Sequence, residues 1–171
     1  MAKKRSPIDR LRDELAGLPR LPGLTFEGGL RALSVTVRDG NALVQPIAAL
    51  WVDAPSGVVR AVEMVEQRGT PAEQIDQALH ALVSACARPI GANSTSPQPN
   101  GRIVDLAEAR EKRQAPPQVV PEARARAGLP ARIVVADRAL ASAVRALCEP
   151  LGIKVEQATR TATFESAITA L

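Results

Sequence analysis

Aromatic residues are nearly missing from this chain: Trp51, Phe26 and Phe164 are the only three among 171 residues, and there is no tyrosine. So few and so scattered, they cannot form a stacking platform for bases, which counts against single-strand nucleic-acid binding. Histidine occurs once, as His80, and the two cysteines, Cys86 and Cys148, show no CxxC spacing. A transition-metal cluster is therefore not expected, and two thiols in apolar helical stripes read as buried groups in a reducing compartment. No glycine-rich phosphate loop, GxSxG or HExxH occurs, which removes the enzyme classes that depend on those motifs. Long apolar runs are absent too. The longest, Ile47 to Val52, is far too short to span a bilayer, and the MAKKRSPIDRL start has charge but no apolar stretch behind it. A cytoplasmic location is expected.

Charge is present, and its distribution matters more than its sum. The formal net charge is +4, yet residues 1–20 carry six Lys/Arg against three Asp/Glu, and residues 88–132 carry eight against four. The remainder is net negative. Basic character thus belongs to flanking segments, which could meet nucleic-acid phosphates but commonly serve only to keep a segment solvated.

Residues 6–17 have the pattern of a short helix, with Ser6 as N-cap, Pro7 at the first helical position and Ile8, Leu11 and Leu15 on one face. Alternation from Leu33 to Val37 predicts a first strand, closed by the turn residues Asp39-Gly40-Asn41. Ile47–Val52 and Val58–Val65, joined by Ala54-Pro55-Ser56-Gly57, predict a hairpin. Thr70-Pro71-Ala72-Glu73 has capping-box spacing and announces a helix with the stripe Ile75, Leu79, Leu82, Val83 and Cys86. His80 falls on its wet face and reads as a surface imidazole. Residues 88–132 are rich in Pro, Ala, Arg, Gln and Ser and read as an inserted basic linker, within which Ile103–Arg113 could form a short docking helix. Ile133–Ala136 predicts a strand covered on both faces, Asp137 the start of a helix bearing Leu140, Val144, Leu147 and Cys148, and Gly152 its stop. Ile153–Glu156 predicts a last strand, and Thr163 the cap of a closing helix with Phe164, Ile168 and Leu171.

The expected organisation is a basic helical segment at 1–22, one α/β domain from 23–87 and 133–171, and a linker at 88–132. The element order is β-β-β-α-β-α-β-α, a five-stranded mixed sheet with helices on its faces, and it is the ribonuclease H-like order. The stretches LWVDAPSGVVRAVEMV and LPARIVVADRALASAVRALCEPLGIKVEQATRTATFESAITAL resemble an uncharacterised bacterial domain family of unknown function. More distantly, the hairpin, capped helix and strand-Asp-helix-Gly-Ile-strand pattern is similar to the ribonuclease H-like cores of integrases and DDE transposases. In those enzymes three acids hold two divalent metals that act on a phosphodiester. Carried over, the resemblance implies Asp39, Asp137 and Glu165 as catalytic and metal-binding candidates, with Asp53 at the end of the second strand as a further one, and Mg as the only cofactor.

Each candidate also has a structural explanation. Asp39 suits a hairpin turn, Asp53 an Asx-type turn, and Asp137 and Glu165 the first turns of helices, where the dipole favours negative charge. The stretch Val35-Thr36-Val37, where the family would place its first acid, has none. The reading that follows is a binding or accessory module without catalysis and without a cofactor, engaging a protein partner. The alternatives are a metal-dependent phosphodiester-cleaving or strand-transfer enzyme, and a nucleic-acid binder acting through 1–20 and 88–132.

Overall fold

The computed structural model describes residues 6–39, 42–65, 69–90 and 126–170. Helix α1 (Pro7–Ala16) leads into the long strand β1 (Arg20–Ala32), followed by the short strands β2 (Val37–Asp39) and β3 (Ala42–Val44). Strands β4 (Ile47–Asp53) and β5 (Val58–Val65) precede helix α2 (Pro71–Ala87). Strand β6 (Leu129–Val135), helix α3 (Arg138–Cys148), strand β7 (Lys154–Gln157) and helix α4 (Ala162–Thr169) follow. The inserted segment's candidate helix, Ile103–Arg113, lies outside the described residues. No helix among them is long and apolar enough to cross a membrane.

Five strands make one mixed sheet in the order β5-β4-β1-β6-β7, while β2 and β3 form a separate two-stranded ribbon. β4 pairs antiparallel with β1 and with β5, and β6 runs parallel to β1 and to β7. The expected α/β class, the mixed five-stranded sheet and the interior position of the 133–136 region are therefore present.

The first strand is not where alternation placed it. Leu33–Val37 follows the end of β1, and only Val37 of that stretch enters a strand, that of the ribbon. The central strand is Arg20–Ala32, whose Pro22, Gly23, Gly28 and Gly29 look like loop residues. Pro22 and Gly23 sit where the register with β6 shifts between Leu21 and Thr25, so their irregularity is absorbed by a bulge. Gly28 is required by a neighbour: the Trp51 ring lies directly over it, and a Cβ there would collide with the indole. β6 likewise starts at Leu129, earlier than expected, because Pro130 pairs beside β1 where β7 has not yet begun.

Alternate residues of each strand serve opposite faces. Phe26, Ala49, Trp51, Ile133, Val135 and Val155 join a large core with α1, α2 and α3, to which α1 contributes Leu11 and Leu15. Leu50 and Val52 form a second, smaller core with Phe164 of α4. Trp51 is fully buried, and its Nε1–H donates to the Ala78 carbonyl of α2 at 3.1 Å. Cys86 and Cys148 are free and buried. Burial pushes both thiols up, Cys148 to about 12.

Capping boxes start α1 and α2. Ser6 and Asp9 exchange side-chain and backbone bonds, as do Thr70 and Glu73. The Ser6 hydroxyl, then its amide, hold the Asp9 carboxyl below its ordinary value, and the Thr70 amide, then its hydroxyl, do the same for Glu73. The Lys154 ammonium lowers Glu156. All three carboxylates are easier to ionise when folded, so their stabilisation is complete above the unfolded-state values and disappears as pH falls through the lowered folded ones. The urea midpoint is expected to decline as pH drops below 4.5, the ordinary value for the two glutamates. In Glu73→Gln that decline becomes shallower.

Gly28→Ala is expected to cost about 3 kcal/mol or prevent folding, since neither the indole nor the central strand can retreat. Gly17→Ala, with nothing within 4 Å of the added methyl, leaves stability within about 0.5 kcal/mol of the parent. Urea denaturation of the two variants checks the contrast.

Candidate functional site

The acidic residues singled out from the sequence are distributed as follows. Asp39 ends β2 opposite Ala42 in the two-stranded ribbon, apart from the five-stranded sheet, and its side chain lies outside what is described. Asp53 ends β4 and is buried. Its carbonyl accepts from the amides of Ser56 (3.2 Å) and Gly57 (2.7 Å), and its Oδ2 accepts from the Ser56 hydroxyl. Gly57 closes this turn with φ +68°. Asp53 Oδ1 is buried with no hydrogen-bond partner among the described residues, although the charge of Asp53 is felt by Arg60 on the adjacent strand.

Arg60 is itself buried. Its Nε–H donates to the Ala85 carbonyl at 3.1 Å, its Nη2 to the Arg126 carbonyl at 2.8 Å, and its guanidinium stacks 5.1 Å from the Phe26 ring centroid. The cation meets the negative end of α2 and ties that helix to the chain re-entering at 126. Burial lowers its pKa, opposed by Cys86 and Asp53.

Asp137 is exposed after β6 and caps α3, its Oδ1 accepting from the Leu140 amide at 2.7 Å. Glu165 is half-buried in the first turn of α4, whose surface forms an open hollow with Arg160, Ser166 and Thr169. His80 is exposed, with Nδ1 2.9 Å from the Asp76 carbonyl.

The acid that sequence reasoning passed over is Glu27. It lies on β1 between Val52 of β4 and Val134 of β6, at the middle of the sheet. Its Oε2 accepts from the amides of Thr163 (2.8 Å) and Phe164 (3.0 Å). The expected cap of the last helix is thereby corrected. Thr163 lies inside α4, the N-cap residue Thr161 makes no side-chain cap bond, and a carboxylate distant in sequence satisfies the orphan amides instead. The signal for Glu27 is the alternation Leu24, Phe26, Gly28, Leu30, which places 27 on the opposite face; the flanking glycines and proline hid it.

Among the described residues, no three His, Cys, Asp or Glu side chains gather where they could share a metal ion. Chemically, this arrangement closes turns and starts helices. Sequence comparison adds no relative: no protein-family model matches the chain, and no curated protein matches it.

Two substitutions separate capping from chemistry. Asp137→Asn keeps an acceptor for the Leu140 amide and is expected to change stability by less than about 0.5 kcal/mol, whereas Asp137→Ala costs about 1 kcal/mol. Glu27→Ala is expected to cost about 2 kcal/mol and to speed hydrogen exchange at Thr163 and Phe164. An Asp137→Ala protein as stable as the parent would remove the capping role.

Proposed function

We propose that this chain is a binding or accessory module of ribonuclease H-like architecture that engages a protein partner and performs no catalysis. The strand order supports the architecture: the first three sheet strands, β1, β4 and β5, are consecutive antiparallel neighbours, and β6 and β7 extend the other side of β1 in parallel. The observation that carries the functional reading is the use made of Glu27. It is the acid on the central strand, and its carboxylate is committed to two backbone amides of α4. Asp137 is similarly committed to α3 and Asp53 to its turn. Each of these carboxylates spends an oxygen on a structural bond, and among the described residues no three acids gather where they could share a metal ion. Buried thiols and the absence of a CxxC pair support a reducing, cytoplasmic setting.

The strand order also favours a second reading, a metal-dependent phosphodiester enzyme using Mg with Asp137, Glu165 and Asp39 or Asp53. One experiment tests both. The full chain is incubated with single- and double-stranded DNA and RNA, with and without Mg²⁺ or Mn²⁺, and is also used as bait in native lysate with and without nuclease. The expected outcome is no metal-dependent cleavage, together with a protein partner that survives nuclease treatment. Metal-dependent cleavage lost in Asp137→Asn, which keeps the cap, would establish the enzyme instead. Binding that vanishes with nuclease and weakens steeply with salt would establish a nucleic-acid binder.

A further inference from the structure

Resting on the reading as a protein-binding module, we propose that the outer edge of β5 at Val62–Met64 receives one antiparallel extended segment of a partner protein, with a Lys or Arg opposite Glu63 and apolar residues on either side. β5 is the last strand on its side of the sheet. The direction of its backbone groups follows from hydrogen bonds along β4: Ala54 N–H donates to the Thr25 carbonyl and Leu33 N–H to the Pro46 carbonyl, so even-numbered residues of β4 turn toward β1. The odd-numbered ones turn toward β5, where Trp51, Ala49 and Ile47 stand opposite Ala61, Glu63 and Val65. Val62 and Met64 must then direct their N–H and C=O groups outward.

Part of this edge is already closed. The Arg60 carbonyl accepts from the Ile90 amide at 2.9 Å, where the chain leaving α2 passes β5. Beyond that point, no backbone hydrogen bond reaches Val62 or Met64 from outside the sheet among the described residues. Their side chains share the α4 face with Leu50 and Ala48, and they are 41% and 54% exposed, beside Ile90 at 53%. Two open pairs of backbone groups, flanked by exposed apolar side chains, make the template that strand addition uses.

Charge identifies the occupant. Glu63 is exposed and has no ion pair among the described residues. Because its backbone faces β4, an incoming strand meets it at a non-hydrogen-bonded position, where opposing side chains come closest. A cation there is favoured, and an anion is repelled. A second copy of β5, in the register that uses both open residues, would set Glu63 against Glu63. The segment is therefore of different sequence: apolar, basic, apolar.

The test titrates the full ¹⁵N-labelled chain with a synthetic peptide that alternates threonine and valine around a central lysine, and with its glutamate-centred counterpart. The expected results are slowed exchange at the Val62 and Met64 amides and about fivefold tighter binding of the lysine peptide. Met64→Pro removes only an outward N–H and is expected to abolish binding, while Glu63→Lys, a surface change that leaves the backbone intact, reverses the peptide order. Absence of binding, binding indifferent to both substitutions, exchange already slow in the free chain, or self-association protecting the same amides would each overturn the site. If a nuclease-resistant partner is captured equally by the parent and both variants, the edge proposal falls while the module reading stands.

Discussion

A tryptophan seated on a glycine organises this fold. The Trp51 ring occupies the space over Gly28 on the central strand, and the indole N–H reaches the Ala78 carbonyl of α2. One side chain thus fixes the distance between sheet and helix and also the register of β4 on β1, where Gly28 stands opposite Trp51. An indole buries roughly 200 Å², on the order of 5 kcal/mol at about 25 cal/mol per Å². Its donor adds a penalty for any misplacement, because a buried N–H without an acceptor is costly. In a chain with three aromatic residues, a large share of the packing specificity rests on this contact, with Phe26 beneath Arg60 and Phe164 over Gly29 completing the set.

The same economy governs the polar groups. α1 and α2 are started by residues three positions apart in sequence, α3 by Asp137 immediately before it, and α4 by Glu27, which is 136 residues from Thr163. The first three starts can form with their own helices. The fourth cannot: α4 gains its cap only when β1 is in the sheet, so its order depends on tertiary structure. This dependence explains why a helix of eight residues, too short to persist alone, holds its place with Phe164 in the cluster of Leu50 and Val52.

What could be read from the sequence follows the same division. Many local signals were reliable: Ser6 with Pro7, Thr70 with Pro71 and Glu73, Asp137, Gly152, and the hairpin around Asp53–Gly57 all have their cause within a few residues, and each is found in the corresponding turn or cap, whereas the alternation of Leu33–Val37 and the cap assigned to Thr163 are not. Non-local causes were invisible. Nothing near Gly28 announces that an indole from β4 must lie on it, so a strand containing Pro22, Gly23, Gly28 and Gly29 read as loop. The displaced strand then hid Glu27, and with it the true cap of α4. Asp137 and Asp53 were legible as a cap and a turn because that is local chemistry; whether acids converge is a tertiary property, which spacing does not carry.

The two ends of the sheet are managed differently. β7 has four residues, and Glu156 there lies 2.7 Å from the Lys154 ammonium and 3.3 Å from Arg132 of β6, a charged surface that discourages another strand. β5 has eight residues, places Val62 and Met64 at the surface, and among the described residues is met along its outer edge by the Ile90 amide at Arg60. Arg60 is also where the strand bulges against β4, between the Trp51 and Val52 pairings, and where its side chain turns inward to the Ala85 and Arg126 carbonyls. The bulge and the inward cation therefore protect the first half of β5 by the devices natural edges use, and they stop at Ala61. An edge defended over half its length, with apolar side chains and, on the other half, a carboxylate that has no ion pair among the described residues, is selective: it refuses its own copy through Glu63 and remains compatible with a strand that brings the opposite charge.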